Sequence, residues 1–379
     1  MSSSYELYNR IIGTLRPLVT VTNRKQLNNW VWIIVGILLA ESIALSKIAL
    51  HIPVGSEEEE FRITTIRRWL KNPKIDVWAF YEPVLKHVLT GWTAVEAVVI
   101  LDGVLVFGDR LQIFRLSLRH GQRAIPLVWT VLTGPGLTQA EKLEAMLTRA
   151  ATVLQPRVKR VRFLADAGFR DCDWAELCLK LGWHYNIRLA ASTVGWFSST
   201  HVRCRMAELG VQPGQRRYFQ DVALTLTAQW SANLSITWSE GDAKHAPELI
   251  VVMSDQVACR QRLTEYGWRM DIEESFRDDQ SGGFDMEHTQ LQHPERLERL
   301  LLAQAVATLW CHELGEYVLQ QGDRCRREID AGLERELSVF QLGWRWLQRC
   351  VSTAIRRLPR FQAELKPLRL VPVVKLSNC

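Results

Sequence analysis

Apolar positions recur at helical spacing through residues 1 to about 85, so this stretch is predicted to fold as a group of helices. Its most apolar run is Trp30 to Ala40 (WVWIIVGILLA). Glu41 and Lys47 interrupt that run well short of the ~20 residues a membrane span needs, so a buried bundle helix is expected. The run also lies too far from the N-terminus, and lacks the flanks, for a secretory signal. Near residue 95 the period changes. Ala97–Leu101 (AVVIL) is an unbroken apolar run suited to a strand covered on both faces, and it leads into Asp102 and then Val104–Phe107. Gly108-Asp109 and His120-Gly121-Gln122 are turn signals, and Leu111–Leu118 and Ala124–Leu132 read as the strands they connect. Three strands joined by tight turns predict an antiparallel meander.

Thr138-Gln139-Ala140-Glu141 has the residues of a capping box, and the helix it would open carries Leu143, Met146, Leu147, Ala150 and Leu154 on one stripe. Val161–Ala165 reads as a strand ending at Asp166, Asp173–Leu181 as a short helix and His184–Ala190 as another strand. Three strands, helix, strand, helix, strand is the order of an RNase H-like fold: α/β, with a mixed sheet flanked by helices. From 191 to about 255, short runs such as Tyr218–Leu226 and Asn233–Trp238 are separated by Gly, Pro and Ser and read as a β-rich insertion. Glu265–Asp279 has helix character, and Pro294–Leu319 reads as one or two helices. The expected division is a helical N-terminal unit at 1–88, a core at 89–325 and a helical, basic C-terminal region at 326–379. That last region ends with Arg356, Arg357, Arg360, Lys366, Arg369 and Lys375 against Glu364 alone.

Composition narrows the class only slightly. The chain has 379 residues, 47% hydrophobic and 23% charged, enough to bury a full core without disulfide help. A formal charge of +6 suits a polyanionic partner without requiring one. The eight cysteines include no C-x-x-C pair, which argues against a zinc site or a disulfide framework and for a reducing compartment.

Chemistry enters with the carboxylates. Asp102 and Asp166 are each expected at the end of a buried strand, and in the order above those strands are neighbours. Two carboxylates brought together repel unless a cation lies between them, although each alone could equally cap a strand or a turn. Tyr266, Arg269, Glu273 and Gln280 lie at i, i+3, i+7 and i+14, so one continuous helix would put all four on a single face. Arg grips a phosphate by two hydrogen bonds, Tyr bonds another oxygen and Glu completes a metal shell. The competing reading is a surface helix with ordinary ion pairs.

The segment YGWRMDIEESFRDDQSGGFDME, Tyr266 to Glu287, resembles the signature of bacterial insertion-sequence transposases of the DDE type, with its Y-R-E-K motif. VVILDGVLV, RFLADAGFRD and GQRAIPLVW (Gly121–Trp129) resemble further blocks of that family, over roughly residues 90 to 310. The resemblance implies a DNA transposase with Asp102, Asp166 and Glu273 as ligands of Mg²⁺ (or Mn²⁺), and Tyr266 and Arg269 on DNA-end phosphates. It implies a DNA-end-binding role for 1–88, where Arg62, Arg67, Arg68, Lys71 and Lys74 cluster. Its partners would be double-stranded DNA, both terminal inverted repeats and target, with a homodimer on paired ends and no membrane. The compartment implied is the bacterial cytoplasm, in association with the nucleoid. Trp238 or Trp230 would be the aromatic residue of the insertion that stacks on an extruded base. Gln280 stands where the family has Lys; it can hydrogen-bond a phosphate but cannot neutralise it, and Arg277 is the nearby base that could compensate. Two other readings stay open: a non-catalytic DNA-binding relic of a transposase, and an RNase H-like nuclease without strand transfer.

Overall fold

A computed structural model of the chain describes residues 3–365 except 22, 54–57, 93, 136–139, 171, 199–200, 225–229, 242–245, 281–282 and 354. Thr138 and Gln139 of the expected capping box, and the basic tail from Lys366 onward, lie outside the described residues. The helical spacing of the first ninety residues yields α1 (Ser3–Leu18), α2 (Arg24–Ala40), α3 (Leu45–His51), α4 (Glu59–Lys71) and α5 (Val77–Val88). In α2 every residue from Trp30 to Leu38 is buried. Among the described residues no single helix is long and apolar enough to cross a membrane; α2 and α3 together have the length but meet at 100°.

The change of period near residue 95 begins the sheet: β1 (Glu96–Val106), β2 (Leu111–His120) and β3 (Arg123–Thr133), then α6 (Ala140–Leu154), β4 (Arg160–Ala165), α7 (Cys172–Lys180) and β5 (His184–Leu189). β1, β2 and β3 form the expected antiparallel meander, while β4 runs parallel to β1 and β5 parallel to β4. The next segment supplies β6 (Val194–Phe197), β7 (Val202–Arg205), β8 (Arg217–Leu224), β9 (Trp230–Trp238) and β10 (Leu249–Ser254). These do not form a separate layer. β10 pairs antiparallel with β5, and the result is one ten-stranded mixed sheet in the order β3-β2-β1-β4-β5-β10-β9-β8-β6-β7.

Two further departures from expectation bear on the site. Asp102 does not end its strand: β1 continues to Val106, held by pairing with β2 as far as Val106↔Leu111. Asp102 lies instead just past the last β1–β4 partners, Leu101↔Ala165. The helix expected over Glu265–Asp279 is two helices, α8 (Arg260–Gly267) and α9 (Met270–Asp279). Between them the bonds tighten to three-residue spacing, Trp268 N–H to Glu265 O, Arg269 N–H to Tyr266 O and Ile272 N–H to Arg269 O. That 3₁₀ geometry turns faster than an α-helix, so the two helices are not one continuous 3.6-residue spiral. Gln280 caps the end of α9 with ψ −100°.

The chain then forms α10 (Pro294–Gln320), a single helix, followed by α11 (Asp323–Arg326) and α12 (Val339–Thr353). Every α10 residue from Leu300 to His312 is buried, which explains its near-uniform apolarity. It packs against α2, α4, α5, α12 and β3, and one hydrophobic cluster joins the N-terminal helices, the sheet and α10. A second, small cluster of Ile100, Ala124, Leu164, Ile272 and Phe276 seats α9 on the sheet beneath the site.

Candidate active site at the end of the β1–β4 ladder

Register brings the two aspartates together. Leu101 pairs with Ala165, and Ala165 with Ile187 of β5, so Asp102, Asp166 and Arg188 are the next residue on each of three adjacent parallel strands. Asp166 leaves its strand at this point, its Oδ1 accepting the Gly168 N–H at 2.8 Å. Asp102 Oδ1 accepts the N–H of Gly103 at 2.8 Å.

From the other side the junction of α8 and α9 brings Arg269, and α9 brings Glu273. The Arg269 guanidinium donates from Nη1 to Asp102 Oδ2 at 2.8 Å and from Nη2 to Glu273 Oε1 at 2.5 Å, bridging the two carboxylates. Asp102 and Arg269 are mostly buried, with side-chain exposures of 13% and 12%, whereas Glu273 is 40% exposed and open to solvent. Burial raises the Asp102 carboxyl to about 6; Arg269 and the Gly103 N–H pull it down, and Asp166 and Glu273 push it up again. The two acids therefore sit within electrostatic reach of Asp102. Burial works against the charge on Arg269, but Tyr266, Asp102 and Glu273 together hold its pKa above the ordinary value.

Tyr266 is buried at the end of α8, with the Arg269 guanidinium 5.9 Å from its ring centroid. Burial raises its phenol pKa, while Arg269 and Arg188 lower it. Both guanidiniums lie beside its hydroxyl, and among the described residues that hydroxyl donates to no acceptor.

No protein-family model matches the chain, and no curated protein matches it. Among solved structures the chain is similar to a piggyBac transposase, seen by cryo-EM in a synaptic complex with hairpin DNA. The TM-score is 0.48 and the identity 9%, over 94% of this chain and 81% of that chain.

The expected residues divide in two. Asp102, Asp166, Tyr266, Arg269 and Glu273 meet in one place. Gln280, Arg277 and Trp238 are not brought into it by any contact. Arg277 is exposed and paired with Glu274 at 3.0 Å. Trp238 is half-buried on the core and its indole N–H is committed to Val211 O at 2.7 Å, as that of Trp230 is to the Tyr185 hydroxyl at 3.2 Å. The exposed aromatics of the same segment are Trp196 and Tyr218.

Two sets of residues escaped the sequence reading. Arg188 is one, and its place in the row after Asp102 and Asp166 was readable only with strand register in hand. The other is the ionic contact that pins α9. Arg115 and Arg119 of β2 and Arg123 of β3 pair respectively with Asp279, Asp271 (2.6 Å) and Asp278 (2.7 Å). With Glu274 held by Arg277, these pairs occupy the other acids of α9 and leave Glu273 to the site. Glu265, buried beside Tyr266, is held by Arg162 at 2.9 Å and Arg262 at 3.0 Å, which fixes α8 in the same way.

Proposed function

We propose that this chain is a DNA transposase of the DDE type, with an RNase H-like core formed by β3-β2-β1-β4-β5 and with Asp102, Asp166 and Glu273 as its carboxylate triad. The observation that carries this reading is the register that sets Asp102 beside Asp166, with Arg269 tying Glu273 to the same point. In kind, the donor set fits a hard divalent cation, since all three groups are carboxylates. In arrangement, among the described residues no three such side chains are yet placed to hold a metal ion, and the Arg269 guanidinium lies between two of them. Asp102, Asp166 and Glu273 would hold the ion pair once Arg269 turns away. Mg²⁺ or Mn²⁺ there would supply activation of a water or 3′-hydroxyl and stabilisation of the leaving oxygen.

The protein's own groups do the positioning. Arg269 exchanges its carboxylate partners for a phosphate of the transposon end, a bidentate contact of matching geometry. Tyr266 donates its unpaired hydroxyl to a neighbouring phosphate oxygen, and Arg188 adds a second positive charge on the β5 side. The substrate is double-stranded DNA, and a homodimer on paired ends completes the reading.

The test is cleavage of a labelled transposon end in Mg²⁺ by Asp102→Ala, Asp166→Ala and Glu273→Ala proteins. Each is expected to lose cleavage while retaining end binding, and nicking retained by any one removes that residue from the triad. The bridging position of Arg269 also favours a second reading, a DNA-binding relic whose site stays closed; binding without metal-dependent release of the end by the unmutated protein would establish it.

A further inference from the structure

Gln304, Thr308, His312 and Glu316 recur every fourth residue along α10, so they form one polar stripe on a helix whose buried residues are mostly apolar. All four are themselves buried. At one end of the stripe Glu316 meets His120 of β2 at 3.0 Å. At the other, Gln304 donates from Nε2 to Asp279 Oδ1 at 2.7 Å, and Asp279 also takes Arg115 of β2. Asp279 is the last residue of α9, the helix that carries Glu273.

A cavity of about 20 Å³ lies at that second end, between β2, β3, α9 and α10. Every residue lining it is buried, among them Arg115, Trp129, Phe276, Asp279, Gln304 and Thr308. Three of these side chains keep buried polar atoms that find no partner among the described residues: Nε and Nη2 of Arg115, Oε1 of Gln304 and Oγ1 of Thr308. The Arg115 guanidinium lies over the Phe276 ring, 4.3 Å from its centroid, so an aromatic face covers one side of it. Buried polar groups of folded proteins are almost always hydrogen-bonded, and three of them around one cavity call for a shared partner.

That partner has to donate as well as accept. Arg115 offers only N–H groups, Gln304 Oε1 only accepts, and the Thr308 hydroxyl does either. An anion would suit Arg115 but would face Gln304 Oε1 and the Asp279 carboxylate, while a metal cation would face Arg115. A water needs about 10–15 Å³ and two to four polar partners, and the cavity supplies both while leaving no room for an organic ligand. We infer that this cavity binds a water molecule that accepts from Arg115, donates to Gln304 Oε1 and shares a hydrogen bond with the Thr308 hydroxyl. The water ties α10 to the Arg115–Asp279 pair and so helps to seat α9 on the sheet. The site is independent of the transposase reading, because it follows from packing and hydrogen-bonding groups alone.

Thr308→Val in the full chain tests it by the sign of its effect, since Val keeps the shape and removes the hydroxyl. With water in the cavity the change deletes one of the water's hydrogen bonds, so the urea midpoint should fall with the m-value unchanged. In a dry cavity the same change removes an unpaired buried hydroxyl, and a midpoint that rises or stays level overturns the site. A crystal structure of the wild-type chain gives a second reading that does not depend on how the variant folds. The expected result is a single density peak within about 3.2 Å of Thr308 Oγ1, Gln304 Oε1 and an Arg115 nitrogen. An empty cavity overturns the site, and an anomalous signal there in crystals soaked in bromide overturns it in favour of a small anion.

Discussion

Arg269 holds Asp102 at 2.8 Å and Glu273 at 2.5 Å, and a guanidinium in that place competes with any other cation for the same oxygens. Replacing it by Ala should therefore tighten Mn²⁺ binding to the DNA-free protein while weakening binding of the DNA end. Calorimetric titration of both ligands reads the two effects separately, and an unchanged Mn²⁺ affinity would show that Arg269 is no competitor. The same residues set a pH dependence. Burial, opposed by Arg269, raises Asp102 to about 6, above the ordinary carboxylate value, so the folded protein keeps this proton to higher pH than a free chain would. A protonated carboxyl is a poor ligand, so the Mn²⁺ affinity of the DNA-free protein should rise with pH through about 6, and an Asp102→Asn protein, which has no such proton to lose, should lack that limb. A flat profile between roughly pH 5 and 7 would contradict it. The aspartates were legible because each follows a short apolar run, and Tyr266, Arg269 and Glu273 because three-to-four-residue spacing survives even a tightened turn. Gln280 stands where α9 ends, and residue spacing alone does not mark that end.

At the scale of elements, what local pattern could not reveal is what holds α9 in place. Arg115 and Asp279 are 164 positions apart in sequence and pair only after β2 and α9 have docked. No periodicity records such a contact. By contrast, β1 to β5 were readable because each has its own apolar run and turn signals. After residue 190 only β8 and β9 were read individually as strands, and the continuation of the sheet through them was not, since edge pairing leaves no mark in a single strand's alternation. The helix crossing of α10 and α12 is likewise written in two glycines far apart. A Cβ on Gly343 would overlap the carbonyl oxygen of Cys311 and the amide nitrogen of Gly315, and one on Gly315 would overlap the carbonyl of Val339. These are backbone atoms, which cannot swing aside. Gly343→Ala should destabilise by roughly 1–3 kcal/mol or more, read as a lower urea midpoint. Gly13, in α1, has nothing within 4 Å of its would-be Cβ, and its replacement by Ala should not destabilise.

Over the whole molecule, the N-terminal helices and the sheet are tied through α10 and through the last described segment of chain. Leu358, Phe361, Ala363 and Leu365 are buried as this segment crosses the helices. Arg10 donates to Leu358 O at 2.5 Å, Thr14 to Phe361 O at 2.5 Å, and Leu365 N–H to Val88 O at 3.3 Å, so α1 and α5 are both tethered by it. On the α10 side Glu313 accepts the N–H groups of Gln362 at 2.8 Å and Ala363 at 2.9 Å. Burial raises this carboxyl to about 8, the backbone donors opposing the shift only in part. Its folded value lies above its unfolded one, so the folded state binds the extra proton and the associated stability is fully present at acid pH. That stability is lost as pH climbs from about 4.5 through about 8. Glu313→Gln cannot ionise, yet it keeps an oxygen for one of the two donors. Its unfolding free energy, measured in urea from pH 5 to 8, should fall less steeply with pH than that of the wild type. Parallel curves for the two proteins would mean that Glu313 stays ionised when folded, with its backbone donors outweighing burial.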